Sequence, residues 1–575
     1  MNEMYTKTGI MVSSSDINRY PRPALVRNSF FSLNGKWNIK ILDQAHKIRR
    51  EGTILVPFSI ESALGGFKDQ LLPKETAIYT KEFSLPKSFS KAKVILHFEA
   101  VDYETKVKLN GEDIFVHRGG YTPFEIDIAS YLKATNTLEV IVTDPTDNGR
   151  QERGKQTLKS HGMWYNPTSG IYGSVWLEAL NPNYVIDYNV TANVHEQKVF
   201  FHLVNSVEKF HYTLTVYENN TPIIVKEIDE PLTEINLADG HPWSPEDPFI
   251  YTFRLYNDSD DITGYFGFRD IGVGPGHRGK PVMHLNGQPY FINGLLDQGY
   301  WPESGLTPPS QMALKQDILL AKKFGFNAIR KHIKIEDNYF YYYCDLLGIL
   351  VIQDMPSGGD YHFSMMTIAP SLGFTHRKDT KYRAFGRKDA SNREEFIDMV
   401  RTNVGRLQKH PSIVIWTIFN EGWGQFDSVK LTNFVKSLDP TRLIDSASGW
   451  FDQKAGDFNS VHRYFRKLKP ANKKDSRAYF ISEFGGYSLA LDFHRFNEEK
   501  EYGYRKFKTT IELENAFIQL YREEVMPLFL SGLAGVIYTQ LCDVEEETNG
   551  LITYDRKIEK MHADKIYSIL SKIHY

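Results

Sequence analysis

Two glutamates stand where apolar runs end. Residues 413–421 read IVIWTIFNE and residues 478–486 read AYFISEFGG, so Glu421 and Glu483 each follow a run that offers no solvated place to point. A carboxylate carried into such surroundings is costly unless it is paired or put to use. Two carboxylates facing one cavity are the equipment for glycoside hydrolysis. One protonates the leaving oxygen, and the other meets the oxocarbenium-like centre through water or as a nucleophile. The chain has 71 acidic residues, and a single strand-end glutamate among them is most often a solvated or capping group, so the weight rests on the pair. Gly422 and Gly424 let the backbone turn away after Glu421 and leave room for an aglycone beside Trp423.

The elements that must position this pair follow from the period of the sequence. After residue 280, apolar strands alternate with amphipathic helices. The strand candidates are 290–298, 327–333, 349–355, 413–421, 442–448, 460–465, 478–486 and 534–543. Eight strands separated by helices predict a closed (β/α)8 barrel, whose reactive groups sit at the carboxyl ends of its strands. Glu421 and Glu483 then end the fourth and seventh strands, across the mouth from each other. One helix is predicted over 308–324, with Thr307 as N-cap, Pro308 at the first helical position and Gly325 after its end. An open doubly wound sheet competes, but no Gly-rich phosphate loop follows the first strand.

The upstream half reads as two all-β sandwiches. From about residue 30 to 180, short alternating runs are broken by turns, and Asn110-Gly111 between TKVKL and EDIFV signals a two-residue hairpin. A second β block over roughly 184–275 has the strand number of an immunoglobulin-like domain. The predicted division is a jelly-roll sandwich at 1–183, an immunoglobulin-like sandwich at 184–277 and the barrel at 278–575. Charge is balanced, with 68 Lys and Arg against 71 Asp and Glu, which argues against nucleic acid or a membrane surface as a partner. The many aromatics suit β-rich domains and supply ring faces that stack on sugars. Two cysteines and no apolar stretch of leader or membrane-span length lead to a cytoplasmic expectation. A carbohydrate is the expected partner, no cofactor or metal is expected, and a homo-oligomer stays open.

RNSFFSLNGKWNIK, VPFSIESALGG, MWYNPTSGIYGSVWLE, WTIFNEGWGQFD, ISEFGG and VIYTQLCDVEEETNGLITYDR, in this order over nearly the whole chain, resemble glycoside hydrolase family 2. That is the family of β-galactosidases, β-glucuronidases and β-mannosidases. The resemblance implies a jelly-roll domain, an immunoglobulin-like domain and a catalytic barrel. It also implies Glu421 as acid/base, Glu483 as nucleophile and Asn420 as donor to the sugar 2-hydroxyl.

Other candidates come from the strand ends. Tyr464 suits a hydrogen bond to the nucleophile, Asp297 a sugar hydroxyl, and Trp301 stacking on the ring. His462 is read as a capping or bridging group, since no second histidine lies at metal-ligand spacing. Arg330, His332 and Lys334 share a face by strand alternation, which predicts a cationic mouth suited to a sugar carboxylate. The β-glucuronidases hold that carboxylate with Asn-x-Lys, whereas the matching place here is Asn549-Gly550-Leu551, without the lysine. The reading is therefore a retaining exo-β-glycosidase for galactose-configured β-glycosides, neutral or oxidised at C6. A β-glucuronidase or arabinosidase is the alternative, and a non-catalytic carbohydrate-binding protein the remote one.

Overall fold

The computed structural model describes residues 4–89, 92–471 and 474–575. Two sandwiches precede a parallel barrel. In the first sandwich, the six-stranded sheet runs in the order Ile48–Val56, Gly35–Leu42, Thr76–Phe83, Asn136–Thr143, Glu104–Leu109, Glu112–Arg118. It packs on a four-stranded sheet built around Lys93–Phe98 and Val175–Leu180. Asn136–Thr143 alternates buried with half-buried residues along its length, as a strand with one face on a core must. The Asn110-Gly111 turn has φ of +54° and +89°, the paired positive angles of a tight hairpin.

The second sandwich sets a five-stranded against a three-stranded sheet around Tyr188, Phe201 and Phe253. Its outermost strand is Leu25–Val26, which pairs antiparallel with Asp261–Phe266. The chain ahead of the first sandwich is thus stitched into the second.

Eight parallel strands form the barrel: Ile292–Asp297, Ala328–Lys331, Leu350–Asp354, Ile413–Asn420, Leu443–Ser448, Phe458–Arg463, Ala478–Gly485 and Leu533–Thr539. Every residue of Ile413–Asn420 and Ala478–Gly485 is buried, because one face of each strand lines the interior and the other meets helices. Burying one such Ile or Phe side chain contributes about 1.5–3 kcal/mol. The ladder is continuous except between the fifth and sixth strands. That seam is closed by other bonds: Asp457 N donates to Ile444 O at 2.9 Å, Ser460 Oγ donates to Asp445 at 2.7 Å, and Ser448 Oγ lies 2.9 Å from His462 Nε2.

The helix predicted over 308–324 spans Gln311–Lys323, and its N-cap is Ser310, whose hydroxyl accepts from Ala313 N. Pro309 disfavours helical backbone at the residue before it, which delays the start. Thr307 instead donates its hydroxyl to Tyr172 O at 2.7 Å, tying the barrel to the first sandwich. Among the described residues no helix is long and apolar enough to cross a membrane.

Candidate active site

Glu421 follows the fourth strand in the left-handed region, at φ +52°, with its backbone N–H donating to Ser448 O at 2.9 Å. A non-glycine residue held there is strained, and strain of this kind is retained where the surroundings fix it. Gly422 continues the turn at φ +72°, and a Cβ on it would lie 2.4 Å from the Phe451 ring. The turn brings the Glu421 carboxylate beside His462, whose Nδ1 lies 2.8 Å from Oε1.

Glu483 projects from the seventh strand into a dense set of donors. Arg330 Nη1 donates to its Oε1 at 3.1 Å and Tyr464 donates its hydroxyl to Oε2 at 2.5 Å. His462 Nε2 and His332 Nδ1 lie 3.5 and 3.9 Å from Oε1. Burial alone would raise this carboxyl, but His462, the Arg330 guanidinium, His332 and the Tyr464 hydroxyl around it outweigh burial and hold the group below the usual carboxylate range. Glu421, His462 and Glu483 each place one ligand-capable atom within 4.8 Å of the others. That spacing also suits a cation, but the Arg330 guanidinium, wedged between Glu483 and Asp354, already supplies positive charge there.

All five N–H groups of Arg330 are engaged. Nε and Nη2 grip Asp354 at 2.9 and 3.0 Å, Nη1 also reaches Ser482 O at 3.0 Å, and Nη2 reaches Asn420 Oδ1 at 2.8 Å. Arg330 therefore does not offer itself to a substrate, contrary to the expectation of a substrate-binding group; it orients Glu483 and Asn420. With its oxygen accepting from Arg330, Asn420 presents its amide nitrogen as the donor. Asp354, which ends the third strand, also accepts from His332 at 2.9 Å. His332 is pushed below its ordinary value by burial and by the charge of Lys155, against the pull of Asp354 and Glu483. Tyr464 stacks on Tyr504 with centroids 3.8 Å apart, and burial and the Glu483 charge raise its hydroxyl well above the usual value, so it stays a donor.

Four further expectations are corrected. Lys334 is buried and directed away from both glutamates, donating to Gly299 O, Leu306 O and Glu336 Oε2, each at 2.7 Å. Alternation stops applying because the strand ends at Lys331 and Ile333 turns the chain at φ +51°. Asp297 is ion-paired with Lys331, and Glu336 takes the other side of that ammonium at 2.9 Å, so Asp297 is not free for a hydroxyl. Trp301 closes a turn with Gly305, and the Arg556 guanidinium lies over its ring at 4.1 Å where a sugar was expected. Asn549 is buried between Gln540, which donates to its Oδ1 at 2.6 Å, and Glu547, which accepts from its Nδ2 at 3.0 Å.

The mouth is completed by residues 150–168 of the first sandwich. Trp164 meets Trp423 edge-on at 5.2 Å, Tyr361 packs on both, and Asn166 N donates to Glu545 Oε1 at 2.7 Å. Trp423 is thereby a wall of the mouth beside Glu421, sunk in an aromatic cluster. On the same loop, the ammonium of the partly buried Lys155 has no hydrogen-bond or ion-pair partner among the described residues. Its charge is close enough to depress His332. Sequence reasoning missed Lys155, Asp354 and Tyr504. Asp354 carried a readable signal, since ILVIQDM is another apolar run ended by a carboxylate.

Known proteins share this architecture. The description "Glycosyl hydrolases family 2, TIM barrel domain" matches residues 279–485, and "Glycosyl hydrolase 2 galactose-binding domain-like" matches 63–173. A β-galactosidase of Thermoanaerobacter pseudethanolicus is 24% identical over 435 residues, covering 71% of this chain and 54% of that protein. A putative β-glucuronidase of Formosa agariphila is 26% identical over 392 residues, covering 64% of this chain and 34% of that protein. The chain thus spans about half or less of these two curated relatives. A solved β-galacturonidase from Eisenbergiella tayi, bound to galacturonate, superposes with a TM-score of 0.71 at 19% identity, covering 97% of this chain and 100% of that one. With both of its domain descriptions matched in order and the fold shared end to end, this chain belongs to glycoside hydrolase family 2.

Proposed function

We propose that the protein is a retaining exo-β-glycosidase acting on galactose-configured β-glycosides. The observation that carries this reading is the approach of Glu421 and Glu483, which have carboxylate oxygens within 4.8 Å of each other. Retaining enzymes hold their carboxyl groups about 5–5.5 Å apart, whereas inverting ones leave about 6.5–9.5 Å for a water. Glu483, kept ionised by its cationic neighbours, attacks the anomeric carbon while Glu421 delivers a proton to the leaving oxygen. The glycosyl ester on Glu483 is then hydrolysed by water that Glu421 deprotonates. Tyr464 and Arg330 hold Glu483 in line, and Asn420 donates to the sugar ring.

A relative named β-galactosidase supports the galactose configuration, as one named putative β-glucuronidase supports the alternative. A C6-oxidised substrate is favoured by one observation: the Lys155 ammonium, on the loop that completes the mouth, has no hydrogen-bond or ion-pair partner among the described residues, whereas Arg330, His332 and Lys334 are engaged within the protein. Turnover of nitrophenyl β-galactoside, β-galacturonide, β-glucuronide and α-arabinofuranoside tests the proposal. The fastest kcat/KM is expected on one of the first two, and preference for either of the others overturns the assigned configuration.

A further inference from the structure

His462 stands between the two glutamates, and its ring is held in one setting. Nδ1 lies 2.8 Å from Glu421 Oε1, while Nε2 lies 2.9 Å from Ser448 Oγ and 3.5 Å from Glu483 Oε1. Gly449, at φ +92°, passes so close that a Cβ there would lie 2.8 Å from Nδ1, and Trp450 meets the ring edge-on at 5.4 Å. Ser448 decides which nitrogen carries the hydrogen. A serine hydroxyl has one proton to give, and Ser448 gives it to Ser482 Oγ at 2.8 Å. Towards His462 it can only accept, so Nε2 is protonated. Nδ1 is left as the titrating position of the ring, and its hydrogen-bond partner among the described residues is Glu421.

The other oxygen of Glu421, Oε2, makes no hydrogen bond among the described residues, and the side chain keeps 26% of its surface exposed at the mouth. Oε2 is therefore the oxygen open to a leaving group. Two arrangements satisfy the bond between Nδ1 and Oε1. A neutral ring presents a lone pair at Nδ1, so Oε1 must bear the carboxylic proton, which then points into the protein. An imidazolium donates Nδ1–H to Oε1, and the carboxylic proton sits on Oε2. Only the second arrangement offers a proton to the substrate.

We propose that His462 is the positioning residue of the acid/base: as an imidazolium, with Nε2–H on Ser448 and Nδ1–H on Glu421 Oε1, it keeps the transferable proton on Oε2. In the first half of the reaction the Oε2–H bond breaks, the proton goes to the leaving oxygen, and the new carboxylate already accepts from Nδ1–H. In the second half water gives a proton to Oε2 as its oxygen replaces Glu483 on the anomeric carbon, which restores the starting form. The ring protons stay where they are. The carboxyls of Glu421, Glu483 and Asp445 surround the ring and favour its charged form, whereas Arg330 and His332, which also reach Glu483 Oε1, oppose it. The inference rests on the glycosidase reading above.

The test joins nitrogen-15 NMR of labelled histidine to the pH profile of kcat/KM on a substrate with a poor leaving group. His462→Gln identifies the His462 signals by their loss. In the unaltered protein both ring nitrogens should be protonated at the pH of full activity, and raising the pH should strip Nδ1 while Nε2 keeps its proton. Ser448→Ala removes the acceptor that commits Nε2, so its neutral ring should shift towards Nδ1–H. An adjacent cation moves a carboxyl by roughly one to three pH units, so the basic limb of kcat/KM should rise by about that much in His462→Gln. It should rise in Ser448→Ala as well, where a neutral ring can donate to Oε1. A neutral ring carrying Nδ1–H in the unaltered protein overturns the proposal. So does a basic limb that stays in place in His462→Gln while activity falls evenly at all pH values, the mark of a residue that only closes the seam. If the unaltered protein hydrolyses no glycoside, the functional reading fails, while the nitrogen signals still decide which form the ring takes.

Discussion

The hydroxyl of Tyr464 lies 2.5 Å from Oε2 of Glu483 while its ring stacks on Tyr504 at 3.8 Å. The two contacts separate chemistry from packing. Tyr464→Phe keeps the stack and removes one hydrogen bond to a charged group, worth about 1.5–3 kcal/mol. The expected outcome is a fall in kcat of about 10–100-fold with little change in thermal stability. An unchanged kcat would show that the hydroxyl does not act on Glu483.

Lys334 is held within the fold, whereas Lys155 is the lysine proposed to meet a substrate carboxylate. Lys334→Ala strips three buried hydrogen bonds, and Glu336 keeps its second partner in Lys331. A stability loss of about 1–3 kcal/mol is expected, with the galacturonide-to-galactoside ratio of kcat/KM unchanged. Lys155→Ala is expected to lower kcat/KM for the galacturonide by about 10–100-fold, the value of a charge-assisted bond, and to leave the galactoside nearly as before. Equal losses on both substrates would remove Lys155 from carboxylate recognition.

Stability should fall as pH rises through neutrality. Burial pushes Glu545 up to about 8. The folded chain therefore binds this proton more tightly than the unfolded chain. Above the ordinary glutamate pKa the unfolded state loses its proton first, and stability declines until the folded value near 8 is passed. Each tenfold gain in proton affinity is worth about 1.4 kcal/mol, so denaturant titrations between roughly pH 5 and 8 should record a decline on the order of 1–3 kcal/mol. Glu545→Gln, which keeps an acceptor for Asn166 N, should flatten it. A variant that declines as steeply as the unaltered protein would place the proton elsewhere.

The barrel was legible in the sequence because each of its strands is an apolar run with turn residues at its ends. The two glutamates were legible because they terminate such runs. What failed depended on partners distant in the chain. Nothing near Asp297 announces that Lys331 will claim it, nor near Asn549 that Gln540 will. Lys334 was misplaced because alternation holds only inside a strand, and Ile333 takes a backbone angle that its β-branched side chain gives no reason to expect. The helix start at Ser310 was missed because Pro308 reads as a first-turn residue until Pro309 is weighed. Lys155 reaches the mouth from another domain, so no local pattern could assign it.

The central claim is double displacement by Glu421 and Glu483, and the first-formed sugar anomer reports on it directly. Proton NMR of the hydrolysis mixture, recorded before mutarotation, should show the β-anomer appearing first, because two inversions at the anomeric carbon restore the starting configuration. The α-anomer appearing first would mean a single displacement by water, and would contradict the covalent role given to Glu483.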